Sequence, residues 1–174
     1  NSNSILMATV GEDFSSYEKR LSKLDIVQDY VKEVTDSLTA QAYITTDLDD
    51  NQITAFHPGA MMESHQNSIS NVTEKVDLAI IAPAGKEGMI KHAQECSEKN
   101  IPFIFDPGQG LPMFDKNELN TFIDQATFIA VNDYEAELLM KVSELSASEI
   151  QSKVEALIIT KGAHGSEIYC DKKI

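Results

Sequence analysis

The sequence predicts an α/β fold: a doubly wound, mostly parallel sheet interrupted by a small β appendage. Three observations carry this prediction. Short apolar runs at Leu78–Ala82, Pro102–Phe105, Phe128–Val131 and Ala156–Thr160 recur roughly every 25 residues, each followed by a helical stripe or a glycine turn. The runs are continuously apolar rather than alternating, as in strands covered on both faces. Between residues 38 and 62 that rhythm breaks into strict alternation.

Taken in order, Ile5–Val10 is an apolar run closed by Gly11 and reads as a strand. Phe14, Tyr17, Leu21 and Leu24 follow at three- and four-residue spacing, a helix over about 14–24. After Asp36, Ala40, Ala42 and Ile44 alternate with Gln41, Tyr43 and Thr45; the turn-rich residues 47–51 and the extended Gln52–His57 complete a hairpin. The division expected is therefore an α/β core from residues 1–37 and 63–174, with 38–62 as hairpin and return segment. Downstream, Met89, Ile90, Ala93 and Cys96 mark a helix over 86–99, and further helices are expected at 116–125 and 134–142. Ser146 and Glu149 have capping-box spacing for another. There are too few units to close an eightfold barrel.

Composition removes several functions. The 174 residues carry 14 Lys and Arg against 28 Asp and Glu, a net charge of −14. Nucleic-acid binding, which needs cations to displace counterions from phosphates, is not expected. No apolar run approaches the roughly 18 residues of a membrane span. Apolar residues at 42% exclude a disordered acidic tail. Cys96 and Cys170 stand singly, which suits a reducing, cytoplasmic setting and argues against a disulfide framework or a zinc site.

Ligands of such sheets sit beyond the carboxyl ends of the strands. That rule selects residues 84–88, 106–110, 132–135 and 160–165. Asn132 and Glu135 are spaced to cap a helix, and from spacing alone the cap is the stronger reading. The same two side chains could hold the waters of a magnesium ion bound to phosphates, because Mg²⁺ keeps several waters and takes few direct ligands. Thr160-Lys161-Gly162-Ala163-His164-Gly165 permits a tight turn and an anion at its backbone; an ordinary hairpin is the plain alternative. Gln109, within Asp106-Pro107-Gly108-Gln109-Gly110, could hydrogen-bond a polar ligand, or the segment could be a simple turn. Phe56 and Met61, near Gly59, could form an apolar wall or simply core. A G-x-G-x-x-G dinucleotide fingerprint is absent, and the four histidines have no metal-ligand spacing. Asp47, Asp49 and Asn51 begin like a calcium loop but lack its glycine and closing glutamate.

Together the segments VGEDF (10–14), TAQAYITTD (39–47), FHPGAM (56–61), FDPGQ (105–109), NDYE (132–135) and TKGAHG (160–165) resemble the ribokinase-type (PfkB) family of sugar and nucleoside kinases, most closely its bacterial and archaeal adenosine kinases. The resemblance implies a partial ribokinase-like fold with a small β-sheet lid at the hairpin, ATP and Mg²⁺ as cofactors, and transfer of a phosphoryl group to a nucleoside hydroxyl. It implies that Asn132 and Glu135 organise Mg²⁺ through water, and that Thr160, Lys161, Gly162 and Gly165 border ATP. Phe56, Met61 and Gln109 would line the nucleoside pocket. It further implies homodimer pairing through the mixed lid face of Gln41, Tyr43 and Thr45, where a solvated face is the alternative.

The family's catalytic aspartate lies in a G-A-G-D segment that does not occur here, so no catalytic residue is assigned. The N-terminal di-glycine substrate motif is also absent. The expectation is the middle of a kinase, inactive alone, with open sheet edges that favour self-association. The alternatives are a sugar kinase of the same family and a non-catalytic nucleotide-binding module, with a dehydrogenase a distant third.

Overall fold

The computed structural model describes residues 4–49 and 52–170. They fall into two compact units, residues 1–67 and 68–174.

The first unit opens with β1 (Ile5–Val10), α1 (Ser15–Ser22) and β2 (Val27–Glu33), a crossover in which β2 pairs parallel with β1. Leu21, on the inner stripe of α1, is buried. β2 was not expected: Asp29, Lys32 and Glu33 give it no apolar run, and only the ladder to β1 makes it a strand. The hairpin follows as β3 (Gln41–Thr46) and β4 (Gln52–His57), antiparallel from Gln41↔His57 to Thr46↔Gln52. The tip expected at 47–51 lies partly outside the described residues. Register puts Ala42, Ile44 and Phe56 on one face of the hairpin, and Gln41, Tyr43, Thr45 and Ile53 on the other.

A kinked run of 3₁₀ turns, Gly59–Gln66, returns from the hairpin. Thr9 Oγ1 donates to the Ala60 carbonyl at 2.7 Å and Asn67 Nδ2 to the Ala8 carbonyl at 2.7 Å, which pins the return to β1. Gly59 sits at φ +47°, and a Cβ there would lie 2.1 Å from the Leu38 carbonyl oxygen, so only glycine fits the corner. The acidic VGEDF segment fastens the base of the hairpin. Asp13 accepts the Thr39 N–H at 2.8 Å and the Gln41 side-chain amide at 3.0 Å, and Glu12 accepts the Asp36 N–H at 2.9 Å.

The second unit is a five-stranded sheet in the order β5 (Ala79–Ile81), β6 (Phe103–Phe105), β7 (Phe128–Asn132), β8 (Ala156–Thr160), β9 (Ser166–Tyr169). β5 to β8 are parallel and β9 closes antiparallel on β8. The helices are α2 (Lys86–Glu98), α3 (Lys116–Gln125), α4 (Asp133–Ser143) and the short α5 (Ala147–Gln151). α3 packs between α2 and α4. The mostly parallel sheet and the separate small antiparallel sheet agree with the fold class expected from the sequence.

The core lies where the helices meet the face carrying Phe103, Phe105, Ile129 and Leu157. Phe105 stacks on Phe122 of α3 with centroids 4.2 Å apart and planes 9° from parallel, and Phe114 closes edge-on against both rings. Each buried ring contributes about 2–3 kcal/mol from area alone. Coverage of the opposite face is partial: Ile80 on β5 is 62% exposed and Ile168 on β9 52%. Full cover on both faces, as continuous apolar strands suggested, therefore fails at the sheet margins.

Candidate functional site

Four parallel strands end on one edge of the sheet, so the loops after β5, β6, β7 and β8 emerge side by side. The decisive pair is Asn132↔Thr160, the last rung of the β7–β8 ladder. It sets the N-x-x-E segment and the T-x-G-x-x-G turn next to each other.

Asn132 ends β7 and caps α4. Its Oδ1 accepts the Glu135 N–H at 2.8 Å, while Glu135 Oε2 accepts the Asn132 N–H at 2.9 Å. The capping reading is therefore correct. The box uses one carboxylate oxygen; among the described residues the other takes no hydrogen bond. The pair can cap and still present an acceptor at the helix N-terminus, where the macrodipole favours phosphate.

Thr160 ends β8 and is exposed. Gly162 and Gly165 have φ +54° and +84°, and a Cβ on either would meet nothing within 4 Å. Conformation, not crowding, requires glycine at both, and the outside of the turn is open. The turn is closed by the Lys161 N–H donating to the Gly165 carbonyl at 2.7 Å. Lys161 forms an ion pair with Glu167 on β9. Its ammonium is pushed above the usual lysine value, mainly by the hydrogen bond to Glu167, against desolvation and with help from Tyr169 and Asp133.

Gln109 is exposed in the 3₁₀ segment Gly108–Met113 after β6, on the same edge. That segment starts from Gly108 at φ +47°, where a Cβ would meet Pro83 at 2.7 Å. Asp106 carries the turn: burial raises its carboxyl above the ordinary aspartate value, and the Gly108 N–H works the other way. Phe56 and Met61 belong to the other unit. Phe56 is 54% exposed on β4, and Met61 is half-buried in the 3₁₀ run after it.

The donor set fits a water-held magnesium rather than a protein cage. Among the described residues no group of three or more His, Cys, Asp or Glu could hold a metal ion, whereas a hydrated Mg²⁺ needs only one or two carboxylates, and Glu135 offers one with an oxygen outside the capping box. A polyphosphate fits the open glycine turn, the Lys161 charge and the α4 N-terminus. Sequence reasoning missed Asp106 and Glu167. The first stood in a noted motif without a role, and the second needs the β8–β9 register to be seen.

The family model for the pfkB family carbohydrate kinases matches residues 2–173. The chain belongs to the pfkB family. Among members of known sequence it is 36% identical, over 99% of its length, to the nucleoside kinase of Methanocaldococcus jannaschii, of which it covers 57%. Among solved structures it matches Burkholderia thailandensis nucleoside kinase in complex with inosine at 49% identity and TM-score 0.94, covering 98% of this chain and 56% of that one. The same kinase in complex with ADP-inosine matches at 48% and TM-score 0.93, over 98% and 54%. The pfkB chain described here thus spans about half the length of these relatives. Among the described residues no helix is long and apolar enough to cross a membrane.

Proposed function

We propose that this chain supplies the nucleotide side of an ATP-dependent nucleoside kinase, whose acceptor is the 5′-hydroxyl of adenosine. The observation that supports it above all is the Asn132↔Thr160 rung, which joins the magnesium-side cap to the phosphate-side turn. Bound ATP would bring the phosphoryl group, and Mg²⁺ would neutralise its charge. Asn132 and the open oxygen of Glu135 orient metal-bound waters. Lys161 offsets phosphate charge, and Gly162 and Gly165 let the backbone approach beside Thr160. Phe56 and Met61 give the base an apolar surface, Gln109 hydrogen-bonds the nucleoside, and residues 38–62 act as the lid. The mixed lid face carrying Gln41, Tyr43 and Thr45 serves as a homodimer contact. Cys96 and Cys170 form no disulfide, which is in keeping with a cytoplasmic enzyme.

Inosine is the second acceptor to weigh, because the Burkholderia thailandensis kinase was solved in complex with it. No G-A-G-D segment occurs in the 174 residues, so a general base for the acceptor hydroxyl is missing from them. ADP formation is followed with ATP, Mg²⁺ and adenosine, inosine or ribose, for the 174 residues alone and for a full-length polypeptide carrying them. Turnover is expected only in the longer protein and only with nucleosides. An ordinary kinase rate of about 1–100 s⁻¹ from the 174 residues alone refutes the inactivity. Ribose as the sole acceptor points to the sugar kinase, and no phosphotransfer from the longer protein overturns the reading.

A further inference from the structure

The β8–β9 hairpin does more than close the glycine turn. Ile159 pairs with Glu167 and Leu157 with Tyr169, so Glu167 and Tyr169 stand on one face of β9. The Tyr169 hydroxyl donates to Glu167 Oε2 at 2.6 Å, and the Lys161 ammonium donates to the other carboxylate oxygen. Both oxygens of Glu167 are engaged, one by a rigid aromatic and one by the cation. Lys161 is fixed at its backbone by Gly165 and feels the charge of Asp133, the first residue of α4. The ammonium is thus held against β9, one residue past the Asn132↔Thr160 rung that leads into the α4 start. Its side chain is 35% exposed and that of Glu167 47%, and an ion pair so placed adds little to stability.

We propose that Glu167 is a positioning residue: it holds the Lys161 ammonium ready for the phosphates of a nucleotide lying beside the first turn of α4, and Tyr169 locks Glu167 in place. The inference rests on the nucleotide reading above. Its physical content is preorganisation. A free lysine must give up rotamer freedom when it meets a phosphate, and one already held does not, a difference worth about 2- to 10-fold in affinity.

The test is calorimetric binding of MgADP, and separately of adenosine, to the full-length polypeptide carrying this sequence. Glu167→Ala should weaken MgADP by about 2- to 10-fold and leave adenosine unchanged. Glu167→Gln keeps an acceptor for the ammonium and should stay within about twofold. Lys161→Met should cost about tenfold or more, and Glu167→Ala should add nothing in that background. In steady state the Glu167→Ala loss should fall on KM for ATP and not on kcat. Tyr169→Phe keeps the carboxylate but frees it, and should move MgADP affinity the same way by less; this variant decides if Glu167→Ala fails to fold. Tighter MgADP binding in both Glu167 variants would mean that Glu167 competes for the lysine, which overturns the proposal. So would unchanged binding in Glu167→Ala, or an equal loss with Lys161 already removed. If the unsubstituted polypeptide does not bind MgADP, the kinase reading itself falls; a silent Glu167→Ala beside intact binding removes only the role of Glu167.

Discussion

Replacing Glu135 by glutamine separates a helix cap from a charge. In the capping box Glu135 Oε2 accepts the Asn132 N–H at 2.9 Å, and the return bond runs from the Glu135 backbone to Asn132 at 2.8 Å. Glutamine keeps an oxygen for the first bond and leaves the second untouched, so both hydrogen bonds survive. What goes is the interaction of a negative charge with the helix N-terminus, about 0.3–1 kcal/mol. In a chain of 174 residues that lowers Tm by at most about 2–4 °C. If the carboxylate also organises metal waters at the transferring phosphate, removing one such electrostatic partner costs about 10²- to 10³-fold in kcat. The fold supplies its own control. Ser146 and Glu149 form the same box at α5, which follows a helix and not a strand end. Melting curves and Mg²⁺-dependent ADP formation are measured for Glu135→Gln and Glu149→Gln in the full-length polypeptide. Both variants should melt within a few degrees of the parent, and only Glu135→Gln should lose its rate. If the two variants retain equal activity, Asn132 and Glu135 are a cap and nothing more, and the magnesium-side reading collapses.

Three further outcomes are expected from the geometry. Gly59→Ala, which places a Cβ 2.1 Å from the Leu38 carbonyl oxygen at φ +47°, should cost at least about 2 kcal/mol in urea unfolding; an unchanged midpoint would show that the corner relaxes. Phe122→Ala removes the ring stacked 4.2 Å from Phe105 and should cost about 3–5 kcal/mol, a value contradicted by any loss below about 1 kcal/mol. Burial raises the Asp106 carboxyl, so the folded chain holds that proton more tightly than the unfolded chain. Its stabilising share is complete below the ordinary value of 3.8 and is lost as pH rises through the raised folded value. Asp106→Asn stays neutral and keeps an acceptor for Gly108, so it should match the parent in acid and exceed it at neutral pH. A variant equally weakened at both pH values would refute that account.

Where the sequence carried a periodic signal, the elements were legible. β1 and β8 fall on the apolar runs at Ile5–Val10 and Ala156–Thr160, and α3 on Lys116–Gln125, because in each the local pattern and the tertiary burial agree. β2 escaped because Val27–Glu33 owes its strand to a partner and not to its own polarity pattern. The 3₁₀ segments at Gly59–Gln66 and Gly108–Met113 escaped because their shape is dictated by positive-φ glycines meeting Leu38 and Pro83, contacts that no spacing announces. At the site, the N-x-x-E cap was readable as a cap from three-residue spacing. Its place on the same sheet edge as the 160–165 turn followed from the strand-end rule, whereas the Asn132↔Thr160 rung itself did not, because strand register is a tertiary fact. Glu167 stayed hidden for the same reason: it lies six positions from Lys161 in sequence, and only the folded-back β9 brings it to the ammonium.

The order of β5 to β8 in space is their order along the chain. Neighbouring loops on the working edge are therefore consecutive in translation, and everything from the Asn132 cap to Tyr169 is encoded as one uninterrupted stretch. That stretch still rests on the rest of its unit, because β8 pairs with β7 along its length and α4 packs on α3. A substitution in the β7–β8 ladder or at the α3–α4 contact is therefore felt on both sides of the Asn132 cap.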